Sequence, residues 1–221
     1  MKRLVVLGGG ESGIGTALLG KAKGYEVFVS DKGIIVEKYK EVLVNNEIDW
    51  EDEKHTEALI LNADLVMKSP GIPEKVEMVQ KLFQKGIPVI SEIEFASAFT
   101  QANIIGITGS NGKTTTATWT DYVLKNGGLN VALAGNIGDS FAKAVWKDKV
   151  EHYVLELSSF QLDGIEKFRP HIAVLTNITP DHLDRYEYKY ENYIASKFSI
   201  TKNQTEEDYF IYDADNPTIA E

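Results

Sequence analysis

The sequence predicts an α/β protein in which two parallel sheets follow one another along the chain. Short apolar runs that read as strands alternate with stretches of helical spacing, which is typical of parallel strands joined by helical crossovers. The alternation starts twice, and each time a glycine-rich turn, Gly8–Gly15 or Gly109–Gly112, follows the first strand-like run. We therefore expect two α/β domains, at 1–95 and 96–221.

In the first domain, a strand is expected at Arg3–Leu7, and a helix should run from the glycine-rich turn to about Lys23. The next strand, Glu26–Ser30, ends at Asp31. Residues 37–62 are more polar, and their pattern predicts no definite element. The other predicted elements are a strand at Asp64–Met67, a helix at Val76–Lys85 and a strand at Val89–Ile90.

The second domain opens with a strand at Asn103–Ile107 and a helix at Ala117–Lys125, which ends at Gly127 and Gly128. Helical stretches separate its later strands, as in a doubly wound sheet. These later strands are predicted at Asn130–Ala134, Tyr153–Leu157, Ile172–Leu175 and Tyr209–Tyr212.

Composition excludes several classes of protein. With 23 basic and 33 acidic side chains the formal net charge is −10, which argues against a nucleic-acid scaffold because phosphate backbones require a basic surface. There are no cysteines, which favours a cytoplasmic location. No apolar run reaches the length of a membrane span, and Gly8–Gly10 interrupt the short run after Lys2-Arg3, so we expect no signal peptide and no membrane association. We expect a monomer.

The turn after the first strand of the second domain has the composition of a phosphate-binding loop. The string T-G-S-N-G-K-T-T-T spans 108–116, between a predicted strand and a predicted helix. Backbone N–H groups in such a turn can hold phosphate, and here Lys113 would supply a cation to the β- and γ-phosphates and Thr114 a hydroxyl to Mg²⁺. The general pattern has a further glycine where this chain has Ile107.

The first glycine-rich turn allows more than one interpretation. Gly8, Gly10 and Gly13 satisfy G-x-G-x-x-G, with Asp31 at the end of the next strand, so a dinucleotide-binding dehydrogenase is the default. A second turn, S-P-G-I-P at 69–73, follows a later strand and should lie beside it at the carboxyl edge of the sheet. Two such turns suit a diphosphate-sugar ligand as well as NAD, and a purely structural tight turn stays open.

Polar residues follow two later strands of the second domain. Glu156 ends the strand that precedes E-L-S-S-F-Q-L (156–162), where a Mg²⁺ ligand is expected, although a helix N-terminal charge is an alternative. Ser158 or Ser159 suits a helix cap. His182, in the cluster 176–186, is either a metal ligand oriented by a carboxylate or a solvated surface side chain. By spacing alone, Lys197 is an exposed helix lysine.

Taken together, four strings resemble the Mur ligases of peptidoglycan synthesis. They are T-G-S-N-G-K-T (108–114), G-N-I-G (135–138), E-L-S-S-F-Q-L (156–162) and D-H-L-D-R-Y (181–186). The E-L-S-S-F-Q-L string and S-P-G-I (69–72) are most similar to the ligases that add D-glutamate. The phosphate loop of this family likewise lacks the additional glycine of the general pattern, so the spacing in this chain agrees with the resemblance.

The resemblance implies a Rossmann-like N-terminal domain that binds the UDP-sugar, and a P-loop NTPase-like central domain that binds ATP and is incomplete at its C-terminal end. It also implies a site residue by residue. The ATP-binding positions would be Gly109, Ser110, Asn111, Gly112, Lys113, Thr114 and Thr115. Thr114 and Glu156 would bind a first Mg²⁺, and His182 with a carbamylated Lys197 a second. The catalytic residues would be Lys113, His182 and Lys197. The UDP-sugar would contact Ser12, Asp31, Gly71, Asn136, Ser158 and Gln161.

The implied reaction is ATP-dependent ligation of D-glutamate to UDP-N-acetylmuramoyl-L-alanine through an acyl phosphate. Family members have a further C-terminal domain that binds the amino acid, so we expect this chain to be an inactive fragment. The alternatives are another Mur ligase, a folylpolyglutamate synthetase-like ligase, or a nucleotide-binding module without ligase chemistry.

Overall fold

The computed structural model describes residues 1–220 and divides the chain into two compact units. The first unit holds Met1–Phe99 together with the short segment Ser140–Lys147. The second holds Thr100–Asp139 and the chain from Asp148 onward. The single boundary expected between residues 95 and 96 takes no account of this returning segment.

The strands of the two units, in chain order, are short. They are β1 (Arg3–Leu7), β2 (Glu26–Ser30), β3 (Asp49–Glu51), β4 (Leu65–Lys68), β5 (Val89–Ile90), β6 (Asn103–Thr108), β7 (Val131–Gly135), β8 (His152–Glu156), β9 (Ile172–Leu175) and β10 (Tyr209–Tyr212).

Helices connect these strands. They are α1 (Glu11–Ala22), α2 (Glu37–Asn45), α3 (Glu57–Ile60), α4 (Glu77–Gln84), α5 (Glu92–Ser97), α6 (Lys113–Asn126), α7 (Phe141–Lys147), α8 (Ser159–Leu162), α9 (Tyr190–Phe198) and α10 (Pro217–Ala220), with short 3₁₀ turns at Leu183–Arg185 and Ser199–Thr201. No helix in residues 1–220 has the length and apolar character needed to span a membrane.

The sheet of the first unit has the strand order β3-β2-β1-β4-β5, and every neighbouring pair is parallel. Val5 and Leu7 on β1 pack with Phe28, Val66 and Val79 in one apolar core. Because all strands point the same way, the turns after β1, β2 and β4 come to the same edge of the sheet, which is where ligands bind in such folds.

The sheet of the second unit has the order β10-β9-β6-β8-β7, again with parallel pairs only. β6 lies at its centre, with Ile107 paired to Glu156 on β8 and Thr108 to Leu175 on β9. The carboxyl end of β6 is therefore flanked by the ends of β8 and β9. The predicted fold class, two parallel-sheet α/β domains, is confirmed.

Helix α7 follows the second unit's strand β7 in sequence but packs within the first unit, against α1 and α5. Glycine allows the approach to α1, because a Cβ at Gly15 would lie 2.1 Å from the Ser140 hydroxyl oxygen. The backbone N–H of Ala142 donates to a carboxylate oxygen of Glu92 on α5. This packing depends on tertiary contacts that local sequence patterns do not carry.

Most predicted elements lie within one or two residues of their predicted ends, and the residues without a definite prediction, 37–62, form α2, β3 and α3. The largest differences are the starts of two helices: α1 begins at Glu11, inside the predicted turn Gly8–Gly15, and α6 begins at Lys113 instead of Ala117. The threonines after Lys113 have low helix propensity, which argues against placing them in a helix. They nevertheless form the first turn of α6, which directly continues the glycine-rich loop.

Candidate functional site

The loop between β6 and α6 requires two of its glycines. Gly109 has φ 149° and Gly112 has φ 79°, both in the region that favours glycine. A Cβ at Gly109 would lie 2.0 Å from the Thr176 hydroxyl oxygen. The loop ends directly in the first turn of α6, whose N–H groups have no intrahelical acceptor and point toward an incoming anion.

Side chains from the segment after β9 hold this loop in place. The Ser110 hydroxyl donates to the Thr179 carbonyl at 2.8 Å, and the Asn111 N–H donates to the Asn177 side-chain oxygen at 2.9 Å. The Thr176 hydroxyl donates to the Asn111 carbonyl at 2.7 Å. The sequence drew attention to this segment for its histidine, whereas its polar residues before Pro180 serve to shape the loop.

Lys113 folds back over the loop that precedes it. Its ammonium group donates to the carbonyl oxygens of Gly109 at 2.9 Å and Ser110 at 3.0 Å. A positive charge is thereby held on the loop itself, as a phosphate-binding lysine requires.

Thr114 and Glu156 form an oxygen-rich pair beside the loop. The Thr114 hydroxyl donates to one Glu156 carboxylate oxygen at 2.7 Å, and the Asn136 amide donates to the other at 2.8 Å. Gly135 allows the approach of the β7 end to β8, because a Cβ there would lie 2.3 Å from the Glu156 carbonyl oxygen. Glu156 is 2% exposed.

This pair fits Mg²⁺, which is bound through one or two protein oxygens and completes its shell with phosphate and water. No group of three or more His, Asp or Glu side chains within residues 1–220 could hold a metal by itself. A cation here would therefore depend on a nucleotide for much of its coordination.

Lys197 is the main departure from the sequence prediction. As a helix residue judged by spacing it should be exposed, but its residue exposure is 2%. Its ammonium group donates to the Gly109 carbonyl at 2.8 Å and lies 3.4 Å from the Thr108 hydroxyl. The exposed-lysine interpretation is wrong because α9 turns the face that carries Tyr193, Ser196 and Lys197 into the unit.

Burial and, to a smaller extent, the neighbouring charge of Lys113 lower the pKa of Lys197 from 10.5 to about 7. Asp181, Asp163 and Glu156 act in the opposite direction. Two amines thus converge on the Gly109 carbonyl, one partly exposed and one enclosed.

His182 is not brought into this cluster by any direct hydrogen bond in the described chain. It has left-handed backbone geometry, φ 48°, and its side chain is 54% exposed. Its Nε2 lies 3.5 Å from an Asp181 carboxylate oxygen, too far for a firm hydrogen bond, and its ring lies 5.2 Å from that of Phe160. The structure therefore keeps the surface interpretation of this histidine open.

Ser158 and Gln161 form a capping box at the start of α8. The Gln161 side-chain oxygen accepts from the Ser158 N–H at 2.9 Å and from the Ser158 hydroxyl at 3.0 Å. The alternative that Ser158 caps the following segment is confirmed. Any contact of these two residues with a ligand is additional to that role.

In the first unit, the glycine-rich turn packs tightly around its own backbone. A Cβ at Gly13 would lie 1.8 Å from the Gly8 carbonyl oxygen. The two carboxylate oxygens of Asp31 accept from the N–H groups of Gly9, at 2.6 Å, and Gly33, at 2.8 Å. Ser12 lies in the first turn of α1.

The turn that begins at Ser69 lies beside this loop, as predicted. The Ser69 N–H donates to the Leu7 carbonyl at 3.0 Å, and a Cβ at Gly8 would lie 2.5 Å from the Ser69 hydroxyl oxygen. Gly71 is exposed in the same turn. The first unit thus presents two adjacent turns at one sheet edge.

Comparison with known families accounts for most of the chain. Residues 107–221 match the Mur ligase middle domain, and residues 3–78 match the MurD N-terminal domain.

Two similar proteins from different bacteria have the same name. The UDP-N-acetylmuramoylalanine--D-glutamate ligase of Christiangramia forsetii is 67% identical over 220 residues, which is 100% of this chain and 49% of that protein. The protein of the same name from Bacteroides thetaiotaomicron is 57% identical over 99% of this chain and 49% of its own length. The chain spans about half the length of these relatives.

Solved structures share the fold at lower identity. The UDP-N-acetylmuramate:L-alanyl-gamma-D-glutamyl-meso-diaminopimelate ligase from Neisseria meningitides has a TM-score of 0.71 at 20% identity, over 100% of this chain and 74% of that one. The UDP-N-acetylmuramate-alanine ligase from Thermotoga maritima has a TM-score of 0.63 at 20% identity, over 99% of this chain and 50% of that one. With its middle-domain match covering more than half of its residues, the chain belongs to the Mur ligase family.

Proposed function

We propose that this chain forms the UDP-sugar-binding and ATP-binding parts of a cytoplasmic ligase of peptidoglycan precursor synthesis. The ligase would add D-glutamate to UDP-N-acetylmuramoyl-L-alanine with ATP as the energy source. The names of the relatives support this choice of substrate. Those relatives are about twice as long as the chain.

One observation carries the proposal: four functional groups converge on a single loop of the second unit. Lys113 and Lys197 both donate to the Gly109 carbonyl, and Thr114 is bonded to Glu156 directly beside them. Two cationic or titratable amines, a hydroxyl and a carboxylate around a helix N-terminus match the needs of a nucleoside triphosphate with a divalent cation.

In the proposed reaction, a carboxylate oxygen of the L-alanyl group attacks the γ-phosphorus of ATP. The bond from that phosphorus to the bridging oxygen of ADP breaks, which gives an acyl phosphate and ADP. The amine of D-glutamate then attacks the acyl carbon, the carbon–oxygen bond to phosphate breaks, and the amine proton leaves to solvent. The product is an amide, with ADP and phosphate.

The chain's own contribution is placement and charge. The N–H groups of the loop and of the first α6 turn would hold the phosphates in line with the attacking oxygen, and Lys113 would offset the charge on the transferred group. Mg²⁺ held by Thr114 and Glu156 supplies further charge compensation when bound.

We also propose a second metal position at His182 and a carbamylated Lys197. Carbamylation joins the amine nitrogen to the carbon of CO₂ with loss of a proton, which converts a buried amine into an oxygen ligand of the kind Mg²⁺ prefers. The burial of Lys197 and its lack of an ion pair in the described chain support this assignment. His182 would have to approach from its exposed position.

For the UDP-sugar, we propose contacts with Ser12, Asp31 and Gly71. We also propose Asn136, Ser158 and Gln161 as substrate-binding residues. The adjacent turns after β1 and β4 support the first set. Asn136 already donates a hydrogen bond to Glu156, and Ser158 is hydrogen-bonded to Gln161. These three residues would therefore contact the ligand through polar atoms that these hydrogen bonds do not use.

The loop assignment is tested by titrating the chain with Mg²⁺ and a non-hydrolysable ATP analogue. The variant Lys113→Ala should bind at least roughly tenfold more weakly, since it loses a charge-assisted contact to phosphate. Lys125→Ala, at the far end of the same helix, is the matched control and should bind like the parent. Equal affinity of the parent and Lys113→Ala would refute the assignment.

We further propose that the 221-residue chain does not turn over by itself. Phosphate release above background with ATP, UDP-N-acetylmuramoyl-L-alanine and D-glutamate would disprove this. Binding of UDP-N-acetylmuramate or folate in preference to the L-alanyl substrate would favour another ligase of the superfamily.

A further inference from the structure

Three side chains of the first unit form a hydrogen-bonded chain at the carboxyl ends of β2 and β3. The Ser30 hydroxyl lies 2.7 Å from a Glu51 carboxylate oxygen and 2.7 Å from the Nδ1 atom of His55. Ser30 is fully buried, Glu51 nearly so, and His55 half-buried. No motif in the sequence marks this cluster, because its members come from two strands and a loop.

The positions of the protons follow from the partners. Burial alone would raise the pKa of Glu51, but hydrogen bonds from Thr56 and Ser30 hold it below its ordinary value, so the group is a carboxylate and accepts only. The single Ser30 proton must therefore go to Glu51. The Ser30 oxygen then accepts from His55, which carries its proton on Nδ1.

This arrangement leaves the other ring nitrogen, Nε2, as an acceptor. Burial lowers the pKa of His55, outweighing the opposite effect of Glu51 and Asp31, so the ring is neutral at neutral pH. Nε2 has no hydrogen-bond partner among the described residues, and it is not among the side-chain atoms sealed from solvent. A fixed tautomer thus presents one open acceptor at the surface.

The loop that carries His55 is tied to the turn after β2. The Glu53 N–H donates to the Gly33 carbonyl at 2.9 Å, and the Lys54 N–H donates to the Asp31 carbonyl at 3.4 Å. Asp31 in turn accepts from the N–H of Gly9 in the glycine-rich loop. His55 therefore belongs to the same sheet edge as that loop.

Both carboxylate oxygens of Asp31 are already bonded to backbone N–H groups. In dinucleotide-binding folds an acidic residue at this position accepts from the ribose. The loop tied to this turn offers His55 Nε2, an acceptor with no hydrogen-bond partner among the described residues.

We propose that His55 is a specificity residue for the nucleoside end of the UDP ligand, with Nε2 accepting a hydrogen bond from a nucleoside donor. The donor is either the imide N–H of the pyrimidine or a ribose hydroxyl. Ser30 and Glu51 are positioning residues that fix the tautomer. The inference rests on the proposed UDP-sugar site of the first unit.

The test uses the whole chain and UDP as the probe. His55→Asn keeps a donor to Ser30 but removes the Nε2 acceptor, so UDP affinity by calorimetry should fall roughly tenfold, the cost of one lost hydrogen bond to ligand. His152→Asn, on β8 of the second unit, is the control and should bind UDP like the parent. His55→Gln, whose side-chain oxygen can reach the Nε2 position, should recover part of the affinity.

Ligand analogues identify the donor. If the base donates, 3-methyl-UDP should bind the parent and His55→Asn equally, whereas 2′-deoxy-UDP and 3′-deoxy-UDP should still distinguish them. If a ribose hydroxyl donates, the matching deoxy analogue should abolish the difference. If every analogue still separates the two proteins as UDP does, the contact is not a direct hydrogen bond and the proposal is overturned.

A measurement on the unsubstituted protein does not depend on whether the variants fold. In ¹⁵N spectra of the four histidines, the Nε2 signal of His55 should start as an unprotonated nitrogen and shift on saturation with UDP. An unchanged signal, or His55→Asn affinity within twofold of the parent, would overturn the inference. Absence of any UDP binding to the folded parent would instead refute the proposed UDP-sugar site itself.

Discussion

The two units place a glycine-rich turn at the same point of a parallel sheet, but they surround it with opposite charge. In the first unit, the carboxylate of Asp31 accepts from the N–H of Gly9. In the second, the ammonium groups of Lys113 and Lys197 donate to the Gly109 carbonyl. In the first loop a backbone N–H is already bonded to an acidic side chain, and in the second the Gly109 carbonyl is already bonded to two lysine amines.

Under the proposed function, this difference would adapt the same strand–turn–helix unit to two ligands. A loop whose carbonyls hold amines keeps positive charge at the helix N-terminus, which suits the highly charged phosphates of ATP. The first loop is held by the Asp31 carboxylate, and the neutral His55 lies at the same sheet edge. Together they offer N–H donors and polar acceptors, which suits a nucleotide joined to a sugar.

The contrast extends to buried ionisable groups. Glu92 in the first unit is 1% exposed, and one of its oxygens has no hydrogen-bond partner in the described chain. Burial raises its pKa to about 7, with the Ala142 N–H acting in the opposite direction and Glu11 adding to the rise. Lys197 in the second unit has its pKa lowered to about 7 by the same physical cause. Each unit thus buries one group whose charged form is disfavoured, an acid in the first and a base in the second.

The largest effect is expected from filling the first loop. Gly13→Ala puts a Cβ where the Gly8 carbonyl oxygen lies, 1.8 Å away, so the turn must open and the first unit should lose about 3 kcal/mol or more of stability. The matched control is Gly10→Ala, whose Cβ meets nothing within 4 Å. Urea unfolding followed by hydrogen exchange in β1 and β2 measures this, and a Gly13→Ala first unit as stable as Gly10→Ala would contradict it.

The buried acid should make the first unit less stable as pH rises. Glu92 is protonated in the folded state up to pH near 7 but ionises near pH 4.5 when unfolded, so its contribution is complete below pH 4.5 and lost by pH 7. The difference is roughly 3 kcal/mol. Glu92→Gln stays neutral and keeps an acceptor for the Ala142 N–H.

Hydrogen exchange in the first unit at pH 5 and pH 8, corrected for the intrinsic exchange rate, separates the two proteins. The parent should lose more stability than Glu92→Gln over this interval. Parallel pH profiles for the two would mean that Glu92 is not held protonated.

The buried base should act in the opposite direction and on the other unit. Lys197 is largely neutral in the folded state above pH 7 but stays protonated to pH near 10.5 when unfolded, so its unfavourable contribution diminishes as pH rises through that window. Between pH 7 and pH 9 the second unit should gain roughly 2 kcal/mol relative to Lys197→Met. The experiment requires bicarbonate-free buffer, and equal pH dependence in the two proteins would contradict the assignment.

Much of this arrangement could be predicted from the sequence, because it depends on local patterns. β1, β2, β9 and β10 begin and end where their apolar runs do, and Glu156 lies beside the phosphate loop because parallel strands end at a common edge.

Other features depend on contacts between distant segments, which periodicity does not report. The burial of Lys197 follows from the packing of α9 against α8, with the lysine amine on the Gly109 carbonyl after β6. The docking of α7 needs Gly15 and Glu92, far away in the chain. His55 has a fixed tautomer only because Ser30 and Glu51 come together across β2 and β3.

The central claim is that the two glycine-rich loops bind different nucleotides, and exchange of their backbone N–H groups tests it most directly. UDP should slow exchange at Gly10–Ser12 and leave Ser110–Thr115 unchanged, and Mg²⁺ with a non-hydrolysable ATP analogue should do the reverse. Protection of Ser110–Thr115 by UDP, or of one loop by both ligands, would contradict the account.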